Sequence, residues 1–187
     1  MRTGKLFVIS GASGVVKSTV LHRVMEECPG LKFSVSATTR EPRDKEVHGV
    51  DYFFITKEEF DRMIAENAFV EYDAHMDCCY GTPRAQLEEK LATASVILDI
   101  EPNGAFNVQK ERPDATLIFI TPPSFEELER RLRGRGDTSE EQIRKRLARA
   151  KWEIEQSVKY DYVVVNDQAE TCVNKILEII KNKMEEI

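Results

Sequence analysis

The segment that most constrains this chain is Gly11-Ala12-Ser13-Gly14-Val15-Val16-Lys17-Ser18-Thr19. It approximates G-x-x-x-x-G-K-[ST], a pattern in which backbone N–H groups and a helix N-terminus surround phosphate groups. The preceding residues 5–10 form an apolar run typical of a buried strand, and apolar residues recur at helical spacing after the loop. We therefore predict a strand, a phosphate-binding loop and a helix, with Lys17 reaching the β and γ phosphates of a nucleoside triphosphate and Ser18 directly binding Mg²⁺.

Val16 departs from this pattern, which has glycine at the same position. Glycine there allows a positive φ and a close approach to phosphate, and a β-branched side chain resists both. We expect the valine to impair binding of the donor nucleotide. The alternative is an ordinary strand, turn and helix in which Lys17 and Ser18 are surface residues.

Composition excludes several classes of protein. The 187 residues are 41% hydrophobic and 32% charged, as in globular proteins, and suffice for one domain with a sizeable core. No apolar run approaches the length of a membrane span, and the N-terminus lacks a signal-peptide pattern, so we expect a cytoplasmic protein without a membrane partner. The net charge of −6 argues against binding of polymeric nucleic acid.

The cysteines and histidines form no recognisable metal motif. The four cysteines have neither zinc-ligand spacing nor the density of a disulfide scaffold, and the three histidines are isolated. We expect reduced thiols, with a strained disulfide between the adjacent Cys78 and Cys79 as the alternative.

The order of the elements predicts the fold class. Apolar strand patterns alternate with helical patterns, which favours a parallel three-layer α/β sandwich. Between Tyr52 and Tyr80 shorter β-rich pieces surround a helix, as in a small α+β insertion. Thr56 with Glu59 and Ser124 with Glu127 predict the starts of two helices, and a further helix is predicted to begin near Ser139. That last helix carries an apolar stripe formed by Ile143, Leu147, Ala150 and Ile154. The predicted strands of the main sheet are residues 5–10, 32–37, 95–101, 116–121 and 160–165.

Positive charge is concentrated late in the chain. Residues 129–151 contain nine Lys or Arg and four Asp or Glu, within an acidic protein. Glycines on both sides of Arg135 suggest hinge points between two helices. A solvated helix face explains part of the excess, and a mobile clamp for polyphosphate explains it better.

Taken together, seven motifs in order resemble the guanylate kinase family over nearly the whole chain. They are Gly11–Thr19, Ser36–Arg43, Gly49–Tyr52, Tyr80–Thr82, Leu98–Glu101, Arg131–Gly136 and Asp161–Asp167. The resemblance implies phosphoryl transfer from ATP to GMP with Mg²⁺, on a P-loop α/β/α sandwich with a parallel central sheet, a GMP-binding insertion and a helical lid. It also implies one domain, residues 1–187, with its core at 1–34, 83–126 and 152–187, the insertion at about 35–82 and the lid at about 127–151.

The resemblance also assigns site residues. For ATP it implies the loop Gly11 to Thr19 together with Asn166 beside the adenine. For GMP it implies phosphate binding by Ser36, Arg40, Arg43, Tyr52 and Tyr80, and guanine recognition by Glu71, Thr82 and Glu101. As catalytic residues it implies Lys17, Asp99, Arg131, Arg135 and Arg146, with Asp99 binding Mg²⁺ through water.

Further departures from the family are local. The family usually has glycine where Lys45 stands and Asn-Tyr where Cys78-Cys79 stands, and Tyr80 remains available for the phosphate. Three functions stay open: an ATP:GMP phosphotransferase, a non-enzymatic module binding GMP or a phosphorylated partner, and another nucleotide kinase. Glu71 and Thr82 discriminate against the last, and both a monomer and a homodimer are compatible with the sequence.

Overall fold

A computed structural model of the chain describes residues 4–75, 78–134 and 139–186. The chain divides into two compact units. Unit 1 comprises Met1–Leu6 and Gly30–Ala115, and unit 2 comprises Phe7–Pro29 and Thr116–Ile187.

Unit 2 is built on parallel strands. Its elements are β1 (Leu6–Gly11), α1 (Lys17–Glu27), β8 (Thr116–Thr121), α5 (Phe125–Arg133), α6 (Glu140–Gln156), β9 (Tyr162–Val165) and α7 (Ala169–Glu185), with a 3-10 turn at Ser157–Lys159. β8 pairs in parallel with both β1 and β9, and Ile9 lies opposite Ile118. Both of these isoleucines are fully buried, as continuous apolar runs predict for parallel strands covered on two faces.

Unit 1 contains a parallel pair of strands and a second, four-stranded sheet. Its elements are β2 (Leu31–Phe33), β3 (Ala37–Thr38), β4 (Phe53–Phe54), α2 (Lys57–Ala65), β5 (Phe69–His75), β6 (Cys78–Pro83), α3 (Arg84–Leu91), β7 (Ser95–Asp99) and α4 (Pro102–Glu111). β2 pairs in parallel with β7, while the four-stranded sheet has the order β4-β3-β6-β5. Ala37, Phe60 and Phe69 form the buried cluster under this second sheet.

The predicted strand at residues 32–37 is in fact two strands. β2 ends at Phe33, and β3 begins at Ala37 in the other sheet. Between them the side chain of Gln86 accepts the Val35 N–H at 3.0 Å and the Ser34 hydroxyl at 3.3 Å. A side-chain acceptor therefore replaces the strand partner while the chain passes from one sheet to the next.

Three helices begin at predicted hydroxyl residues. The Thr56 hydroxyl accepts the Glu59 N–H at 3.1 Å, and the Ser124 hydroxyl accepts the Glu127 N–H at 3.1 Å. At α6, Ser139 forms a reciprocal capping box with Gln142. The predicted helix break is present, because α5 ends at Arg133 and α6 starts at Glu140.

No helix in the described ranges has both the length and the apolar character needed to cross a bilayer. All four cysteines are free thiols, so the alternative disulfide between Cys78 and Cys79 is absent from this structure. The division into core, GMP-binding insertion and lid stays a prediction.

Candidate active site

The phosphate loop, residues 11–19, joins β1 to α1 in unit 2. Gly14 has φ +92°, and a Cβ on this residue would lie 2.8 Å from Leu132 Cδ2 of α5. Glycine is therefore required here both by the backbone conformation and by the close approach of a helix. Lys17 is half-buried in the first turn of α1, where Ser18 and Thr19 are exposed.

Val16 adopts the left-handed conformation that the sequence pattern predicts for its position. It is the N-cap of α1 with φ 60° and ψ 42°, and Val16 is 42% exposed to solvent. For an L-residue this conformation costs about 1–2 kcal/mol, and β-branching disfavours it further. The loop thus has a helical N-terminus suited to phosphate, formed at the expense of strain in Val16.

Two side chains from distant parts of unit 2 hold the loop backbone. Glu153 Oε2 on α6 accepts the Ser13 N–H at 2.8 Å. Asn166, just after β9, donates from Nδ2 to the Val15 carbonyl oxygen at 2.8 Å. Both side chains belong to buried residues, so these hydrogen bonds are shielded from water.

Glu153 was not among the predicted site residues. Its helix carries the predicted apolar stripe of Ile143, Leu147, Ala150 and Ile154, and Glu153 lies on the same side, three residues after Ala150. A carboxylate on the buried side of an amphipathic helix is rare unless it is paired. That position was the signal that could have identified it.

Arg131, predicted to be catalytic, contacts Asn166 in this structure. Its Nη1 donates to the Asn166 carbonyl oxygen at 3.1 Å, and its Nε donates to Glu127 Oε1 at 2.7 Å. Hydrogen bonds from Arg130 and then Arg131 lower the pKa of Glu127 to about 2, so this carboxylate stays charged at neutral pH. The structure thus links Arg131, Asn166 and the phosphate loop.

Two further lid arginines were predicted to be catalytic. Arg146 is exposed on α6. Arg135 lies outside the described residues.

A second cluster lies in unit 1, where the GMP phosphate was predicted to bind. The guanidinium carbon of Arg40 is 5.5 Å from the ring centroid of Tyr52, and the rings of Tyr52 and Tyr80 are 6.0 Å apart. Tyr80 also forms a hydrogen bond with Arg40. The structure therefore brings three of the predicted phosphate-binding residues together, with Arg43 exposed and Ser36 half-buried on neighbouring segments.

Glu46, which was not among the predicted site residues, binds the guanidinium of Arg40 and the backbone of Arg43. Its carboxylate accepts two hydrogen bonds from Arg40, Nη1 at 3.0 Å and Nη2 at 2.9 Å, and a third from the Arg43 N–H at 2.7 Å. These bonds lower the pKa of Glu46 and raise that of Arg40. The arrangement is a two-point guanidinium–carboxylate pair, the geometry by which arginine also binds phosphate.

Glu71 and Thr82 form a buried pair on adjacent antiparallel strands. They lie directly opposite each other in β5 and β6, and the Thr82 hydroxyl donates to Glu71 Oε1 at 2.6 Å. Glu71 is only 6% exposed, and burial raises its pKa to about 7. The structure thus brings together two of the residues predicted to recognise guanine.

Gly104 on α4 provides the space for this carboxylate. A Cβ on Gly104 would lie 2.6 Å from Glu71 Oε2, closer than a side-chain carbon approaches an oxygen atom to which it is not bonded. Glu101, also predicted to contact guanine, is the N-cap of the same helix, and Asp99 ends β7 just before it. Unit 1 therefore places the predicted acidic residues on two strands and the start of one helix.

Comparisons with known proteins identify the family. A model of the family described as guanylate kinase matches residues 3–183. The chain belongs to the guanylate kinase family. A guanylate kinase of Thermus thermophilus is 48% identical over 178 residues, covering 95% of this chain and 80% of that protein.

Two further relatives support the assignment to the guanylate kinase family. A guanylate kinase of Rubrobacter xylanophilus is 46% identical over 182 residues, covering 97% of this chain and 95% of that protein. The crystal structure of guanylate kinase from Anaplasma phagocytophilum has a TM-score of 0.81 and 34% identity, covering 98% of this chain and 87% of that one. The predicted fold class, an α/β/α sandwich with a parallel central sheet, is thereby confirmed.

Proposed function

We propose that this protein transfers a phosphoryl group from ATP to GMP, yielding ADP and GDP. The observation that carries the proposal is the buried Glu71–Thr82 pair, which offers a carboxylate to a purine base. Membership of the guanylate kinase family over residues 3–183 supports the same reaction.

The acceptor site discriminates through hydrogen bonding. The Glu71 carboxylate accepts from N1–H and the 2-amino group of guanine, and Thr82 holds the carboxylate in place. Adenine lacks both donors, so AMP would leave a buried carboxylate unpaired, which is strongly unfavourable. Ser36, Arg40, Arg43, Tyr52 and Tyr80 bind the GMP phosphate, and Glu101 completes the guanine site.

The donor site uses the phosphate loop. Its backbone N–H groups and Lys17 bind the ATP phosphates, and Asn166 lies beside the adenine. Ser18 would hold Mg²⁺ directly and Asp99 through water, and the bound ion would supply positive charge to the ATP phosphates. The described residues contain no cluster of three acidic, His or Cys side chains able to hold a metal, which suits an ion bound mainly by nucleotide phosphates and water.

Catalysis consists of positioning and charge stabilisation. The attacking group is a GMP phosphate oxygen that is already anionic, so the reaction needs no general base. Lys17, Arg131, Arg135 and Arg146 neutralise the transferring phosphoryl group, while closure of the lid at about 127–151 excludes water.

Val16 lowers ATP affinity or turnover and leaves GMP binding intact in this proposal. The strained conformation and exposed side chain of Val16 support it, since both affect the loop that holds the donor. The same residue favours a second candidate function, a catalytically weak module that binds GMP or a phosphorylated partner through the Arg40, Tyr52 and Tyr80 cluster.

Steady-state ADP production with ATP, Mg²⁺ and GMP tests the proposal, with AMP as the control acceptor. We expect GMP-dependent turnover in the native protein, faster turnover in Val16→Gly, and loss of the preference for GMP over AMP in Glu71→Ala. Turnover in Val16→Gly alone would indicate a kinase impaired at the donor site. Absence of turnover in both, with GMP still bound, would favour the binding module.

A further inference from the structure

We propose that Glu153 is a positioning residue of the phosphate loop, holding the Ser13 N–H so that the residues after it bind the donor phosphates. For its effect on ATP, this inference rests on the proposed function. The structural part, that Glu153 determines the conformation of the loop, stands independently of it.

The Glu153 carboxylate is fixed at both oxygens. Oε2 accepts the Ser13 N–H at 2.8 Å, and Oε1 accepts the Nε–H of Arg149 at 2.9 Å. The guanidinium of Arg149 in turn lies 4.8 Å from the ring centroid of Trp152. Because Glu153 is 2% exposed, this is an oriented acceptor with its charge compensated, and not a solvated surface group.

The backbone conformation of the loop requires stabilising contacts of this kind. Val16 has φ 60°, which strains a β-branched residue, and the adjoining turn has Gly14 at φ 92°. Strained backbone persists only where surrounding contacts over-determine it. Glu153 holds the N–H of Ser13 on one side of Gly14, and Asn166 holds the carbonyl of Val15 on the other.

The hydrogen bond from Ser13 to Glu153 also determines which N–H groups of the loop can bind phosphate. A carboxylate and a phosphate compete for the same donors, and Glu153 takes that of Ser13. The phosphates are then left with the N–H groups that follow, at the N-terminus of α1. Pairing with Arg149 limits the repulsion between the carboxylate and the phosphates.

Two variants and a matched control test the inference. In Glu153→Ala the Ser13 N–H loses its acceptor, whereas the side-chain oxygen of Glu153→Gln still accepts it. Glu155→Gln makes the same chemical change at an exposed position of the same helix. The measurements are the KM for ATP, the KM for GMP and the hydrogen exchange of the Ser13 amide by NMR in the free protein.

We expect Glu153→Ala to raise the KM for ATP about tenfold, as one lost charge-assisted hydrogen bond implies. The KM for GMP should change less than about twofold. Exchange of the Ser13 amide should become about tenfold faster, with Glu153→Gln intermediate and Glu155→Gln unchanged.

Equal rises in both KM values, or unchanged Ser13 exchange in a folded variant, would overturn the inference. If the native protein has no GMP-dependent turnover, the proposed function fails, and Ser13 exchange still decides the role of Glu153. If Glu153→Ala does not fold, Glu153→Gln takes its place, because it retains the side-chain volume. Its expected effects are smaller but in the same direction, and values of the KM for ATP and of Ser13 exchange equal to those of the native protein would overturn the inference.

Discussion

At the scale of single residues, two departures from the family pattern occur where the backbone favours glycine. Val16 has φ 60° and Lys45 has φ 74°. Both are positions at which glycine was expected from the resemblance. The two residues therefore carry local strain for the same reason, although only Val16 belongs to the phosphate loop.

We expect Val16→Gly to raise the free energy of unfolding by about 1 kcal/mol, because relief of the left-handed strain exceeds the entropy lost by glycine. Lys45→Gly is the matched control at the second strained position and should stabilise less, since lysine is not β-branched. Urea unfolding of the native protein and both variants measures the change in the free energy of unfolding. A destabilised Val16→Gly would show that the valine side chain has a stabilising contact that outweighs its strain.

The raised pKa of Glu71 predicts a pH-dependent acceptor site. The carboxyl group is protonated below about pH 7 and charged above it, and only the charged form accepts both guanine donors. The KM for GMP should therefore fall as the pH rises from 6 to 8, by up to about tenfold. Glu71→Gln is the control, because it keeps the titration of the GMP phosphate and removes that of Glu71.

An equal pH dependence in Glu71→Gln would assign the effect to the nucleotide. The raised pKa of Glu71 also makes the free energy of unfolding depend on pH. A carboxyl group whose pKa is raised on folding stabilises fully below its unfolded pKa of 4.5, and this contribution is lost as the pH rises through about 7. GMP binding at higher pH should restore part of that loss.

At the scale of elements, α4 approaches β5 closely at the proposed guanine site. Gly104→Ala should displace the Glu71 carboxylate, because the new Cβ would overlap Oε2. We expect the KM for GMP to rise about tenfold or more, with the KM for ATP nearly unchanged. Asn107→Ala, at an exposed position of α4, is the control. An unchanged KM for GMP in Gly104→Ala would mean that the helix can shift to accommodate the methyl group.

For the whole molecule, cysteine accessibility checks which thiols the fold buries. Cys28 and Cys172 are both buried in unit 2, and burial raises the pKa of Cys172 to about 11. Cys78 and Cys79 are half-buried. A thiol reagent at pH 8 should label at most these two quickly in the native protein and all four after denaturation.

Rapid labelling of four thiols in the native protein would contradict the burial of Cys28 and Cys172. Labelling of fewer than four in the denatured, unreduced protein would instead point to a disulfide. Neither result depends on the proposed activity.

Much of the fold followed from local patterns. Apolar runs predicted β1 and β8, and hydroxyl residues three positions before Glu or Gln predicted the starts of α2 and α5. These signals are short-range, so they need no knowledge of the partner segment. The predicted strand at 32–37 failed because its division depends on Gln86, a residue about fifty positions away.

The amino-acid sequence alone predicted the guanylate kinase family and the phosphate loop with its conformational conflict at Val16. Those conclusions rest on residue type and spacing along the chain. Only the tertiary structure revealed Glu153 and Gly104. Glu153 contacts Ser13 from 140 residues away, and Gly104 matters through the side chain it lacks, so the local sequence identifies the partner of neither residue.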